Sequence, residues 1–113
     1  IQRRSDLIVS GGENIYPAEV ESVLVQHPAV AEACVVGIPD QNWGQRVAAA
    51  ITVKTLQPPS SAADFSEEII AFCRQHLAGY KIPRKIIVLD ALPQTASGKI
   101  TRQDVVKLLI GIE

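Results

Sequence analysis

A pair of glycines between a short apolar strand and the start of a helix is the feature that most constrains the fold of this chain. Residues Leu7 to Ser10 predict a short strand, and Gly11-Gly12 allows the backbone to turn sharply or to approach a ligand closely. Pro17 suits the first turn of a helix, where its missing N–H is not needed. This helix ends before Pro28, because a residue that precedes proline disfavours the α region. The opening of the chain therefore predicts a strand, a sharp turn and a helix, in that order.

Three longer segments predict the strands of the main sheet. Val30 to Ile38 and Arg46 to Val53 are rich in valine and alanine, and the turn-forming residues 39–44 join them. Lys85 to Leu89 predicts the third strand. Segment 54–63, with Pro-Pro-Ser-Ser at its centre, predicts a surface loop.

Two further helices complete the pattern. One is predicted over Ser66 to Leu77, with Asp64 or Ser66 as its cap. The other follows Thr101, which forms a variant of the capping box with Asp104. The buried helix faces predicted by the apolar spacing are Val20, Val23, Leu24 and His27, then Ile69, Ile70, Cys73 and Leu77, and finally Val105, Leu108 and Leu109. The predicted fold class is α+β: a small three-stranded mixed sheet packed with helices, plus a short two-stranded element near the N-terminus.

Composition narrows the class of protein. A length of 113 residues indicates one domain with a modest core, and a net charge of −1 provides no global field that would recruit nucleic acid. The longest apolar run, Val47 to Val53, is far shorter than the roughly 20 residues of a membrane span. Cys34 and Cys73 lie in apolar elements, which favours two buried thiols over a disulfide and fits a cytoplasmic location. His27 and His76 lack metal-ligand spacing, and no metal site is expected.

Lys99 lies in a second informative segment, a loop of small residues that begins at Pro93. Residues 96–98 provide little apolar anchorage, so we expect a mobile loop whose ammonium group reaches outward to developing negative charge. A P-loop is excluded, since that motif requires glycine at position 93 and Ser or Thr at position 100, where the chain has Pro93 and Ile100. Considered alone, Lys99 is more simply a solvated surface lysine, because most lysines are exposed.

Two motifs together resemble the C-terminal domain of adenylate-forming acid–CoA ligases, the acyl-CoA synthetase superfamily. The family ends in Pro-x4-Gly-Lys-x2-Arg, and the matching residues here are Pro93, Gly98, Lys99 and Arg102. The family begins with Gly-Arg-x-x-Asp, an apolar stretch, Gly-Gly and Pro-x-Glu-[Ile/Val]-Glu. The matching residues are Arg3, Asp6, Gly11, Gly12, Pro17, Glu19, Val20 and Glu21, while Gln2 replaces the first glycine. The resemblance extends from Arg3 to about Leu109.

The resemblance implies roles for residues at both ends of the chain. Lys99 is implied to bridge the substrate carboxylate and the nucleotide while acyl-AMP forms, because two anions meet in that step and a cation stabilises the shifting charge. Arg3 is implied to contact the nucleotide. Ser5 falls at the hinge, where many relatives have Asp or Lys. After domain rotation, the backbone of Gly11 and Gly12 is implied to border the pantetheine channel, although a tight turn alone is the simpler interpretation of this pair.

A third cluster, Gly79 to Lys85, is implied to contact coenzyme A. Some relatives hold the CoA nucleotide with an aromatic residue, an arginine two residues on and a base two residues further. Tyr80 and Arg84 match the outer positions, while Ile82 replaces the middle arginine. Considered alone, the cluster is a charged strand edge. Trp43 occupies a turn that relatives show near the pantetheine path, and a half-buried aromatic that closes the hairpin is the equal alternative.

The implied function is that of an ATP-dependent acid–CoA ligase. The resemblance is strongest to the o-succinylbenzoate–CoA ligases of menaquinone synthesis, so an aryl acid such as o-succinylbenzoate is favoured. Residues 1–113 are expected to be the mobile C-terminal domain, with residues 1–6 as hinge or linker, and the large N-terminal domain is expected to lie outside this chain. The full-length enzyme is implied to use ATP, Mg²⁺ and CoA, none of them bound tightly by this domain alone.

Two alternatives stay open at this point. One is an adenylation domain that serves a carrier protein, and the other is a non-catalytic interaction module that uses the sheet over residues 30–53. We expect the isolated domain to lack turnover, and we expect neither nucleic acid nor a membrane span among its partners.

Overall fold

The computed structural model describes residues 6–54 and 62–111, and within these ranges five strands and three α-helices form one α+β domain. A short 3₁₀ turn at Gly79–Lys81 precedes the last strand. The strands are β1 (Ile8–Ser10), β2 (Glu13–Ile15), β3 (Val30–Asp40), β4 (Gly44–Val53) and β5 (Lys85–Val88), and the helices are α1 (Pro17–Leu24), α2 (Ala62–Arg74) and α3 (Arg102–Gly111).

Strand β4 is the centre of the sheet. β3 pairs antiparallel along all of β4, from the Val30–Val53 pair to the Asp40–Gly44 pair. β5 runs parallel to β4, so the three strands form the mixed sheet that was predicted. The β1–β2 pair meets β4 through the single pair Ser10–Gly44. The predicted fold class is therefore confirmed, except that the two-stranded element joins the main sheet to give five strands in all.

Helices cover both faces of this sheet. In β3, Val35 packs in the cluster beneath α1 and α2, whereas its neighbours Cys34 and Val36 pack in the cluster beneath α3. The same alternation runs through β4, because successive side chains of a strand point to opposite faces. Since both faces are buried, β4 carries a continuous apolar run from Val47 to Ile51 instead of alternating with polar residues.

Helix α2 begins earlier than the sequence predicts. It starts at Ala62, so Asp64 and Ser66 both lie inside the helix and neither is its cap. The Ser66 hydroxyl donates to the carbonyl of Ile86 at 3.3 Å, which ties α2 to β5. The helix ends at Arg74, and Leu77 is buried in the turn that follows. The predicted loop over 54–63 lies mostly outside the described residues.

Helix α3 begins directly after Thr101, as the capping pattern predicts. The carbonyl of Thr101 accepts hydrogen bonds from the backbone N–H of Asp104 at 3.2 Å and of Val105 at 3.3 Å. Val105 and Leu109 are buried one helical turn apart, but Leu108 is 41% exposed. Its assignment to the buried face was wrong, because the side of α3 that packs on the sheet is formed by Val105, Val106 and Leu109, and Leu108 lies at the outer edge of that side.

His27 has a structural environment. Its Nδ1 accepts a hydrogen bond from the backbone N–H of Ala29 at 3.1 Å, and its Nε2 lies 2.9 Å from a carboxylate oxygen of Glu68. The ring of Phe72 contacts it edge-on. Over the two described ranges, no three His, Cys, Asp or Glu side chains converge as a metal site. None of the helices described there is long and apolar enough to cross a membrane.

The two cysteines are free and buried, which confirms the prediction of two thiols. Burial raises the pKa of both Cys34 and Cys73 from 9.0 to about 11, and the nearby Arg102 guanidinium partly opposes this at Cys34. At pH 8 a thiol with that pKa is about 0.1% thiolate, the form that reacts. We expect an aromatic disulfide reagent to label the folded chain slowly at pH 8 and to label two thiols at once in denaturant.

The same pKa shift predicts a loss of stability in alkali. The thiol pKa is higher in the folded state, so its stabilising contribution is complete below pH 9 and is lost as the pH rises from 9 toward 11. Urea midpoints at pH 8 and pH 10 measure this loss. The double variant Cys34→Ala/Cys73→Ala is the control, and its midpoint is expected to fall less over that interval. Equal falls in the two proteins would contradict the assignment.

Candidate functional site

Lys99 lies in a tight exposed hairpin between β5 and α3. Gln94 and Ile100 form an antiparallel bridge, and the backbone N–H of Thr95 donates to the Lys99 carbonyl at 2.8 Å. Gly98 has φ +88°, a conformation that glycine adopts readily, and its N–H donates to the Thr95 carbonyl at 2.9 Å. The loop therefore has a defined backbone shape from its own hydrogen bonds, although its side chains are exposed.

The Lys99 ammonium group is available to a partner. Within residues 6–54 and 62–111, no carboxylate lies at ion-pair distance from it, in contrast to Lys81, which pairs with Glu19 at 2.9 Å. An open groove of about 410 Å³ begins beside Lys99, and its lining includes Asp6 and Arg102. Lys99 is thus an exposed cation at the edge of a groove that both ends of the chain form.

Arg102 joins the two sequence motifs. The Nη1 atom of Arg102 donates to a Glu21 carboxylate oxygen and to the Val35 carbonyl, both at 2.8 Å. Its Nε atom lies 3.7 Å from the Asp6 carboxylate. The same Glu21 oxygen accepts the backbone N–H of Val35 at 2.8 Å. Burial is the largest single influence on the pKa of Arg102 and lowers it, but the hydrogen bond to Glu21 and the charges of Glu21, Cys34 and Asp6 together raise it by more, so the net shift is upward and the guanidinium group stays charged.

The sequence named Arg102 as part of a motif but assigned it no role. Its partner is Glu21, the last glutamate of the opening motif, which places an opposite charge on a partly buried side of α1. Sequence reasoning alone does not pair these two residues, because they lie 81 positions apart.

Gly11 packs directly against Trp43. The glycine has φ +58°, and a Cβ atom built there lies 2.4 Å from Cε3 of the indole. The Gly11 N–H also donates to the Trp43 carbonyl at 2.9 Å. Gly12 has φ +84° with open space around it, so it serves the turn alone. The two glycines therefore form the tight turn that was predicted. At Gly11 a side chain is also excluded because the indole packs directly against its Cα atom.

The turn that holds Trp43 is set by Asp40. Its Oδ1 accepts the backbone N–H groups of Asn42 and Trp43, both at 2.9 Å. The indole is 48% exposed, so it closes the β3–β4 hairpin on one side and faces solvent on the other. This position agrees with the half-buried alternative and leaves about half of the tryptophan accessible to solvent.

Arg84 lies over the same indole. Its guanidinium carbon is 5.6 Å from the Trp43 ring centroid, and its backbone N–H donates to the Val47 carbonyl at 2.8 Å. The structure therefore brings together Gly11, Trp43 and Arg84, three of the residues predicted from the CoA resemblance. Tyr80 is 44% exposed in the 3₁₀ turn that precedes β5.

The three cations of segment 79–85 point to different places. Lys81 binds Glu19, and this hydrogen bond raises the pKa of Lys81. Lys85 turns inward, where its ammonium group donates to the carbonyl of Leu109 at 2.8 Å near the end of α3. Burial, and after it the charge of Arg46, lowers the pKa of Lys85. Arg84 is the member of this set that faces the indole.

A second cation beside Arg84 comes from a different element. Arg74, in the last turn of α2, lines an open groove of about 440 Å³ together with Arg84, and Ile82 and Pro83 form part of the apolar lining. Sequence reasoning missed Arg74, although a basic residue that ends the helix immediately before segment 79–85 was a usable signal.

Comparison with known proteins identifies the family. The AMP-binding enzyme C-terminal domain family matches residues 19–99, which is most of the chain. The chain belongs to this family. The predicted resemblance is thereby confirmed.

Relatives of this AMP-binding enzyme C-terminal domain are much longer than the chain. The 2-succinylbenzoate–CoA ligase of Bacillus mycoides (strain KBAB4) is 53% identical over 109 residues, which are 96% of this chain and 21% of that protein. The o-succinylbenzoate CoA synthetase (MenE) from Bacillus subtilis, solved in complex with the acyl-adenylate intermediate OSB-AMP, has a TM-score of 0.79 and 52% identity. The match covers 92% of this chain and 20% of that one.

A double mutant of the same Bacillus subtilis enzyme was solved with its product analogue OSB-NCoA. It gives a TM-score of 0.78 and 50% identity, over 95% of this chain and 21% of that one. The chain thus spans about one fifth of the length of these relatives.

Two predicted site residues of this C-terminal domain lie outside the described residues. Arg3 and Ser5 precede Asp6, and their nucleotide and hinge roles stay predictions. From Asp6 the chain passes through β1 to Gly11, at most about 18 Å away when fully extended. One short segment therefore connects the two features, because Asp6 at its start lines the groove beside Lys99 and Gly11 at its end forms the turn.

Proposed function

We propose that this chain is the mobile C-terminal domain of an AMP-forming acid–CoA ligase. The observation that carries the proposal is the exposed Lys99 ammonium group, which has no carboxylate at ion-pair distance among the described residues. It lies on a loop of defined shape beside a motif arginine that is bound into the fold. A cation without an internal partner suits a site completed by a second domain. Free buried thiols fit a cytoplasmic location, which is part of the proposal.

In the first half-reaction, the proposed role of Lys99 is electrostatic. A carboxylate oxygen of the acid attacks the α-phosphorus of ATP, the bond to the bridging oxygen of the β-phosphate breaks, and pyrophosphate leaves with that electron pair. The products are acyl-AMP and pyrophosphate. Lys99 interacts with both anions while charge shifts between them, which lowers the barrier most in the transition state.

Mg²⁺ accompanies the nucleotide in such reactions and neutralises its phosphates. Over residues 6–54 and 62–111 this chain has no cluster of three potential ligands. These residues form no dedicated Mg²⁺ cage, and no role toward the ion is assigned to this domain.

In the second half-reaction, the domain turns about Ser5 and presents the surface of Gly11, Trp43 and Arg84. The CoA thiolate sulfur attacks the acyl carbonyl carbon, the bond from that carbon to the phosphate oxygen breaks, and AMP leaves. Arg84 provides an exposed guanidinium group for a CoA phosphate, and Tyr80 an exposed ring for the adenine. Names of close relatives favour o-succinylbenzoate as the acid.

The structure bears on the two alternatives. An interaction module that uses the sheet over residues 30–53 needs an open sheet face, but helices cover both faces of β3 and β4. A carrier-protein-directed domain needs no cation for the CoA nucleotide, whereas Arg84 and Arg74 flank an exposed groove. The acid–CoA ligase is therefore the better supported function.

The test is to assay the full-length protein that contains this chain with ATP, Mg²⁺, CoA and a panel of aryl acids. We expect o-succinylbenzoyl-CoA, AMP and pyrophosphate in equal amounts, and no product from residues 1–113 alone. A phosphopantetheinyl carrier protein replaces CoA in a parallel assay. Acyl transfer to the carrier alone, or turnover by the isolated domain, would overturn the proposal.

A further inference from the structure

We propose that Arg102 is a positioning residue, which holds the Lys99 loop in a fixed orientation to the start of the domain. This inference rests on the proposed function, because it concerns how Lys99 reaches the nucleotide. Arg102 itself touches no reacting atom in this scheme. Its role is to make the loop and the segment after the hinge move as one body.

The first step is that Arg102 reaches three separate parts of the fold at once. Its guanidinium group contacts Glu21 in α1, the carbonyl of Val35 in β3 and Asp6 just before β1. A planar guanidinium group presents several N–H donors in fixed directions, which a lysine ammonium group does not reproduce. The three contacts therefore define the position of Arg102 in three dimensions.

The second step is that little else orients the loop. Residues 94–100 are all exposed, so packing does not hold the hairpin against the domain. Leu92 before the loop and Val105 after it are buried, and they anchor its two ends. These anchors preserve the fold without Arg102, but they leave the exposed hairpin free to tilt about them. Thr101, whose N–H donates to the Pro93 carbonyl at 2.9 Å, closes the loop directly before Arg102.

The third step connects this contact to the hinge. Asp6 lies next to Ser5, the predicted hinge residue, and its carboxylate is 3.7 Å from Nε of Arg102. Lys99 is three residues before Arg102 in the chain. A rotation that begins at the hinge is therefore transmitted to Lys99 through Asp6 and Arg102. The orientation matters because a displacement of about 1 Å at a reacting centre is enough to lower a rate roughly 100-fold.

The experiment compares Arg102→Lys with the parent in the full-length protein, one half-reaction at a time. We expect adenylation to fall about 10- to 100-fold in kcat, with the KM for ATP within about threefold, because Arg102 positions Lys99 and binds no substrate. Thioester formation from supplied acyl-AMP is expected to stay within about threefold of the parent, since that step does not use Lys99. Glu21→Gln, which keeps the side-chain shape, is expected to give a smaller loss in the same direction.

Two controls make the outcomes distinct. Glu68→Gln removes a carboxylate that lies 2.9 Å from Nε2 of His27, far from the loop in sequence, and is expected to leave both half-reactions unchanged. Equal losses in both half-reactions of the Arg102 and Glu21 variants, or no loss in either, would overturn the inference. Lys99→Ala is measured in parallel: if it retains full adenylation, the proposed function itself fails, whereas an inactive Lys99→Ala beside a fully active Arg102→Lys defeats only the positioning role.

Discussion

Replacing Lys99 by alanine in the full-length protein is expected to lower the rate of acyl-adenylate formation by about 100- to 1,000-fold. Removing one preorganised group that stabilises transition-state charge has an effect of that size in other enzymes. The ammonium group meets charge only while the carboxylate attacks the phosphorus, so the loss is expected in kcat more than in the KM for ATP. The rate of this step is measured as the rate of pyrophosphate release with saturating acid and ATP.

The second half-reaction separates chemistry from folding in this variant. Lys99 is exposed and has no ion-pair partner within the described ranges, so its removal leaves the core intact. Thioester formation from supplied acyl-AMP is therefore expected at the parent rate. Lys107→Ala is the matched control, because Lys107 is also an exposed lysine but lies in α3 instead of the loop. This variant is expected to be neutral in both assays. Parallel losses in both half-reactions of Lys99→Ala would point to a structural role instead.

Replacing Gly11 by alanine is expected to displace Trp43 and destabilise the domain by about 2–5 kcal/mol. A positive φ costs an L-residue roughly 1–2 kcal/mol, and a crowded contact adds about 1–3 kcal/mol. Here the new Cβ atom lies 2.4 Å from the indole, so the ring has to move. Trp43 is the sole tryptophan of the 113 residues, and its fluorescence in this chain reports that movement directly.

Gly12→Ala is the matched control for this prediction. It has a similar positive φ of +84° but open space around the new Cβ atom, so only backbone strain of about 1–2 kcal/mol is expected. Thermal unfolding and the tryptophan emission maximum distinguish the two variants. In the full-length protein, Gly11→Ala is also expected to slow thioester formation more than adenylation. Equal unfolding temperatures and unchanged fluorescence in both variants would exclude the close packing as the reason for Gly11.

Local sequence signals predicted most of the elements correctly. Pro17 begins α1 and Thr101 precedes α3, since both residues act on the backbone beside them. The signals failed where the deciding contact is distant. Ser66 has the chemistry of a cap, but it lies inside α2 and bonds to the carbonyl of Ile86. Leu108 fits an apolar pattern and nevertheless lies at the surface, because the position of the sheet selects which part of α3 is buried.

The candidate site shows the same division. The lysine in a loop of small residues, the double glycine and the two motifs could be read directly, because each depends on residue types at fixed short spacings. Arg102 and Glu21 could not be paired in that way, nor could Gly11 be placed against the indole of Trp43.

The sequence by itself determined the family, the class of fold and the identity of the exposed cation, Lys99. Only the tertiary structure decided that Arg102 contacts Glu21 and Asp6 near the start of the domain, and that Arg84, rather than Lys81 or Lys85, lies over Trp43. The physical reason is the range of the interactions. Turns, caps and periodicity act within a few residues, whereas ion pairs and ring contacts depend on which distant segments the folded sheet brings to one place.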